Sequence, residues 1–490
     1  GTLGALEGVA GTTLTNNGTL SVDIAAGISK IFVGTLAGTG SLTKAGAGTW
    51  SLTGNNTYQG GTTVNEGTLG AYSNSALGTG SLTMADSTTL MVGRGVSTIA
   101  NDMVLNGTAT VDFDTAVDYL IVGGGGGGGT RHGGGGGAGG FVTGSTTADA
   151  GSFSVTVGLG GNGANASTPT TPTNGGNSSL AFVSTVAYGG GNGAGYTWSA
   201  STGGSGGGTN TDASAGAAGT VGQGNAGGKG MSCSGCDGGW AGGGGGGAAQ
   251  AGANATRSTT TNAAAGNGGA GLSSSITGEL VYYAGGGGGA LSDNASGPAG
   301  LGGIGGGGNG GKAAVGANGV ANTGGGGGAG GHSDLGGNFA GGNGGSGVVV
   351  VRYLGAGAGT GGNVTLGSTS ANGYTVHKFT STGTLTLSPI AASFTGRISG
   401  AGGLSVNAAG GTLTLSGNNA YTGNTAINSG KVVTTHANAL GNNSAVSLSN
   451  VSGALLQINS TLGVGSISGG GTTGDGHKRR RVFVCIRCCD

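Results

Sequence analysis

The chain has 490 residues, of which 132 are glycine and only 32 are charged, and its formal net charge is zero. Ordinary globular domains are about a quarter charged, and zero net charge gives no electrostatic basis for binding nucleic acid or an anionic membrane. No run of about 18 apolar residues is present to insert in a bilayer as a helix. The five cysteines begin only at Cys233, so the first 232 residues fold without a disulfide. That usage suits a long secreted repeat better than a small disulfide scaffold.

Residues 1–116 alternate apolar and polar positions in short runs, as in Thr49-Trp50-Ser51-Leu52-Thr53 and Ser81-Leu82-Thr83-Met84. Period two predicts strands with one buried face, and the Gly and Asn between them supply turns. Residues 117–388 form an inserted domain. It opens on the apolar run 117–122, which leads into seven glycines at 123–129. Residues 121–350 hold 85 of the 132 glycines, and the apolar run 348–354 follows. Pairing of the two apolar runs brings the ends of the insert together, as an insertion in a host fold requires. The hairpin pattern around 373–386 is included in this domain. Uninterrupted glycine runs predict a polyproline-II-type bundle rather than a flexible linker, since aromatic residues recur among them. Strict Gly-X-Y and abundant proline are missing, which excludes collagen.

Residues 389–474 return to the alternating texture, and residues 411–430 (GTLTLSGNNAYTGNTAINSG) copy residues 48–67 (GTWSLTGNNTYQGGTTVNEG) at a constant offset of 363. A repeat of this kind predicts stacked coils, each burying its apolar face on the next. On this reading the copies are neighbouring rungs. Trp50 and Leu413, Leu52 and Leu415, and Val64 and Ile427 then fill equivalent core slots. Residues 475–490 (DGHKRRRVFVCIRCCD) depart from everything before them, with five of the 16 Lys and Arg and three of the five Cys. The lead-in pattern at 33–40 and 395–402 occurs a third time at 464–471. The tail is therefore read as a frameshift near 474 that replaces a third copy.

The copy at 411–430 resembles the autotransporter-associated β-strand repeat of bacterial passenger domains. The segments VDYLIVGGGGGGG, VYYAGGGGGA and GGSGVVVVRY resemble the glycine-rich domains of phage tail-tip adhesins. The first resemblance implies a parallel β-solenoid of the right-handed β-helix type, outside the cell or on the bacterial outer-membrane surface. The second implies that loops joining polyglycine helices face a receptor. The expected fold is thus all-β, a parallel β-solenoid interrupted by a polyglycine-II-like bundle.

Candidate contact residues are the aromatics of the insert, namely Tyr196, Trp198, Trp240, Tyr282 and Tyr283, whose rings can stack on sugars or bury on a partner. Packing beneath the bundle is the alternative role of each. Cys233 and Cys236 form a CxxC with no helix or nearby His. A local disulfide suits an exported loop better than half a zinc site. The strand and glycines at 117–129 lack the following helix and acidic residue of a nucleotide site. The five histidines show no metal-binding spacing, and Asp112, Asp114 and Asp118 are the one acidic cluster. No cofactor, metal or catalytic site is nominated. The expected function is a non-enzymatic surface adhesin or structural passenger whose solenoid presents the insert to a cell-surface glycan or protein receptor. Self-association into fibres and a carbohydrate-active β-helix enzyme are the alternatives.

Overall fold

The computed structural model describes residues 2–469 and 485–486, apart from 5, 9, 167–169, 196–197, 211–214, 232–239, 258–261, 358, 366–372 and 452. Every regular element among them is a β-strand, and no helix is long and apolar enough to cross a membrane. The anomalous tail lies outside the described residues except for Cys485–Ile486.

Two sheets, one of seven strands and one of thirteen, are parallel throughout and form the solenoid. Their registers set the length of a coil. Thr62 lies beside Leu42 and Leu82, and Leu82 beside Met103, so these rungs are 20 or 21 residues apart, and others, such as Thr49–Thr68 and Thr19–Ser41, range from 19 to 22. Inward residues such as Leu42, Trp50, Leu52, Val64 and Leu69 are buried, and their outward neighbours are Thr and Ser. A single hydrophobic core runs from Val22 to Ile458.

That core is not interrupted by the insert. Strand Ala109–Phe113 pairs in parallel with Leu404–Leu415, placing Ala109 beside Leu404. Met103 lies beside Ile398, and Thr98 beside Ser393. Three successive walls of one coil thus stack on the three walls of the next, although 295 positions separate Met103 from Ile398.

The two sequence copies do not stack on one another. Stepping along the ladder from Thr49 passes Thr68, Thr89 and Thr110 and arrives at Ser405. The repeat partner of Thr49 is Thr412, seven residues further on, which is about a third of a coil. Thr412 instead stacks beside Ala391, on the next wall. The copies are therefore about four coils apart and turned by one wall, which corrects their reading as neighbouring rungs in equivalent slots. Local geometry survives the turn. Asn56 accepts from the Leu36 N–H at 2.8 Å and donates to the Ala76 carbonyl at 2.6 Å. Asn419 does the same between Ile398 (2.7 Å) and Ala439 (2.6 Å). Tyr58 bonds Thr62 at 2.5 Å, and Tyr421 bonds Thr425 at 2.6 Å. A coil with three similar walls accepts the same motif in more than one phase.

The insert rests on a pair of antiparallel sheets. Strand Ala116–Val122 pairs with Phe141–Thr147 on one side and Val348–Leu354 on the other, with Val122 beside Val348. Strand Tyr374–Phe379 extends this sheet, and Gly383–Leu387 joins Gly151–Thr156 in a second one. Val117, Ile121, Val349 and Val351 form a core with Val155, Leu180 and Leu385 of the second sheet. The alternate residues Leu120, Val122, Val348 and Val350 cluster with Phe141, Ile276 and Tyr283. Burial on both faces explains why these runs are apolar without alternation.

From this base the glycine segments rise as a bundle with backbone hydrogen bonds between, not within, segments. Segment 123–129 illustrates the rule. Gly124 and Gly127 donate to Gly176 and Thr173, Gly125 and Gly128 to Gly345 and Gly342, and Gly126 and Gly129 to Gly137 and Gly134, all at 2.9–3.0 Å. Its carbonyls accept from three further segments, with Gly161, Gly190 and Gly327 bonding to Gly125, Gly124 and Gly126. One segment thus has six neighbours, met in rotation every three residues, the periodicity of a polyproline-II helix. A Cβ built on Gly126 would overlap the Gly191 carbonyl, and one on Gly127 the Asn162 carbonyl. Glycine loses more chain entropy on ordering than any other residue. Here it is required because only backbones this close can satisfy one another's N–H and C=O groups.

Candidate functional site

Arg94, on the solenoid, is buried at the joint between the two parts. Its guanidinium donates to the carbonyls of Ala148 and, at 3.1 Å, Ser388, both in or beside the insert, and lies over the Tyr353 ring. Asp114 accepts from the Tyr72 hydroxyl at 2.5 Å and from the Ala116 N–H at 2.9 Å. Asp118 pairs with Arg352 at 2.9 Å. Burial raises the Asp112 carboxyl above its ordinary range. The acidic cluster of the sequence is thereby divided among separate structural contacts. Among the described residues, no group of three or more His, Cys, Asp or Glu is arranged to hold a metal ion.

The far end of the bundle carries a group of loops. Gly123 bonds Gly140 at the base, whereas Gly129 bonds Gly134 at the opposite end. At roughly 3.1 Å per residue, this segment lifts the turn 130–132 about 20 Å above the sheets. Ala194, Ala290 and Gly330 bond to Gly134, Gly133 and Gly129, so the loops that follow them emerge at the same end. Ala241 joins them through bridges to Met231 and Leu291.

This arrangement sorts the candidate aromatics. Trp198 and Trp240 lie at the far end, and both are half-buried. Trp198 packs across Gly195, where a Cβ would strike the indole, and Asn210 fixes the same turn by donating to the Gly195 carbonyl at 2.7 Å. Tyr282 and Tyr283 lie at the base instead. Tyr282 is 40% exposed, but Tyr283 is only 1% exposed and packs with Leu120 and Val348. Its ring serves the core, which removes it from the exposed contact set. Tyr196, Cys233 and Cys236 lie outside the described residues.

Sequence spacing missed a histidine pair. His132 stacks on Trp240 with ring centroids 5.7 Å apart and meets His332 edge-on at 5.0 Å. These residues come from three loops spread over 200 positions, so no linear motif marks them. Arg131 and His132 both take left-handed backbone angles, φ 54° and 60°, to reverse the chain between two glycine helices. Burial above all, then His332 and Arg131, pushes the His132 pKa down to about 3. His132 is thus a neutral aromatic platform at physiological pH. His332 is held by Asn338 at 3.0 Å and Asp334 at 3.4 Å, on a hairpin whose apex bears the fully exposed Leu335. The far end therefore offers, among the described residues, half-buried aromatic rings and an exposed aliphatic side chain, a surface suited to contact.

Comparison with known proteins agrees with this construction. Residues 42–71 and 410–433 match the passenger-associated-transport-repeat. A 69-residue stretch is 45% identical to the adhesin BmaC autotransporter of Brucella suis biovar 1 (strain 1330), covering 14% of this chain and 2% of that protein. No solved structure matches the chain. The passenger repeats and this adhesin relative place the chain at the extracellular or outer-membrane surface. Residues 103–354, more than half of the chain, match the glycine-rich domain, and the protein accordingly belongs to the glycine-rich domain family, here inserted in a parallel β-solenoid that carries two matches to the passenger-associated-transport-repeat.

Proposed function

We propose that the protein is a non-enzymatic surface adhesin in which the solenoid, residues 1–116 and 389–474, is a rigid spacer and residues 117–388 are the presented binding module. The observation that carries this reading is the continuity of the solenoid across the insert, with Ala109 beside Leu404. A module looped out from one edge leaves the spacer's packing intact and projects its own loops outward. Rigid elements that hold contact loops limit the ordering cost of binding. Trp198, Trp240 and Tyr282 are the described aromatic candidates for contact with a cell-surface glycan or protein, with Tyr196 beside Trp198 in the sequence.

The test compares the intact chain with one lacking residues 115–387, which joins Asp114 to Ser388. Both are labelled and applied to immobilised host cells and glycan arrays. The expected result is binding by the intact chain and loss of binding without the insert. Equal binding by both chains would overturn the proposal.

A further inference from the structure

We infer that the flank of the glycine bundle carries a binding groove for a neutral saccharide, separate from the loops at its far end. This inference rests on the adhesive reading above and adds to it a ligand class and a location. The groove has a volume of about 320 Å³, within the roughly 300–1,000 Å³ typical of small-molecule sites. Asn174, Asn177, Tyr188, Thr202, Ala218 and Thr220 line it among glycines. No Asp, Glu, Lys, Arg or His contributes to the lining, and Tyr188, whose side chain is 47% exposed, is its one aromatic residue. An anionic or cationic ligand would find no countercharge there, and a lipid chain would find no aliphatic wall. Amides, hydroxyls and an aromatic face together suit the hydroxyls and C–H faces of an uncharged sugar.

The polar groups are held in place yet keep hydrogen-bonding capacity. Asn177 Oδ1 accepts from the Gly189 N–H at 2.8 Å, which fixes the side chain and turns its amide NH2 to other partners. Asn174 Oδ1 accepts from the Asn192 N–H at 2.9 Å, while its Nδ2 makes only a long 3.4 Å contact with the Thr202 carbonyl. The Thr220 hydroxyl donates to the Gly203 carbonyl at 2.9 Å and keeps its lone pairs as acceptors. Tyr188 is anchored by its backbone. Its N–H bonds Gln223 Oε1 at 3.0 Å and its carbonyl accepts from Gly140 at 2.7 Å, while the side chain stays 47% exposed. Such a site is organised before the ligand arrives, which lowers the entropic cost of binding.

The experiment is saturation-transfer NMR of the full chain with maltose, lactose and cellobiose in turn. Transfer to at least one disaccharide is expected, with affinity unchanged as salt is raised, because no charge takes part. Tyr188→Ala, which leaves the anchoring backbone bonds in place, should weaken binding about tenfold through loss of the stacking face. Ala218→Trp should fill the groove and abolish transfer, and Leu301→Ala, at an exposed residue outside the groove lining, should have no effect. Absence of transfer with all three sugars, or transfer unchanged in both groove variants, overturns the inference. If the intact chain adheres to cells and Tyr188→Ala adheres equally, with no sugar transfer in either, the groove fails and the adhesive reading stands. If deleting the insert leaves adhesion intact while the full chain still shows Tyr188-dependent transfer, the adhesive reading fails and the groove stands.

Discussion

The solenoid and the glycine bundle solve the same problem with opposite materials. Each stacks extended segments side by side and satisfies their backbone groups laterally. In the solenoid the ladder runs between coils about 20 residues apart, and the space enclosed is filled by side chains such as Trp50, Leu413 and Ile427. In the bundle there is no enclosed space, and Gly126 and its neighbours approach until their carbonyls bar any Cβ. A core made of side chains accepts different volumes at corresponding repeat positions, as Trp50 and Leu413 illustrate. A core made of backbone is held largely to glycine, with small residues such as Ala138, Ala194 and Ala329 buried among its segments. The solenoid can therefore vary in sequence while keeping its coil, and variation in the insert is confined to the loops and outer flanks of the bundle.

Substitutions can break either side of this comparison. The largest effect is expected for Gly126→Val. The new side chain meets the Gly191 carbonyl and strains the bonds of Gly126 to Gly137 and Gly327, so a loss of more than about 3 kcal/mol is expected, at or beyond the upper range for overpacking. Hydrogen exchange should show the bundle opened and the solenoid still protected. Leu413→Ala leaves a cavity in the solenoid core, with a cost of about 2–5 kcal/mol, read as a lower denaturant midpoint for the solenoid with bundle protection unchanged.

Smaller effects sharpen the comparison. Asn419→Ala strands the Ile398 N–H and the Ala439 carbonyl inside the solenoid, at about 1–3 kcal/mol for a buried unsatisfied group. Asn56→Ala should cost a similar amount, which would confirm that the turned copies are energetically alike. Acid acts on the far end of the bundle. His132 has a folded-state pKa of about 3 against an ordinary 6.5, so the unfolded state binds the proton more readily. Stability is unaffected above about pH 6.5 and falls between there and about pH 3, by at most about 1.4 kcal/mol per pH unit. Protection factors at residues 130–133, corrected for the intrinsic slowing of exchange in acid, should fall from pH 7 to 4 in the native chain, and His132→Phe should flatten the trend.

Local patterns carried much of this structure. Alternation at Thr49–Leu52, the Asn-Asn corners and the glycine runs each stated their own geometry. The apolar runs 117–122 and 348–354 pair directly, as their shared composition suggested. Positional relations were less legible. The constant offset of 363 could not reveal that the copies sit on different walls, because that depends on where the chain leaves and rejoins a coil. Tyr282 and Tyr283 look alike in sequence, but strand alternation buries the second. His132 and His332 meet only because separate glycine helices end together. The groove beside Tyr188 is likewise built from segments that share no motif.

One continuous solenoid carries the insert, and separability of the insert as a module follows from that continuity. Its most direct test is unfolding of the chain lacking residues 115–387, followed by hydrogen exchange at 103–113 and 391–415. A folded β-rich protein is expected, in which Met103–Leu105 and Leu404–Leu415 keep the protection they have in the intact chain. Loss of protection at that seam, with the two flanks unfolding as independent pieces, would contradict it.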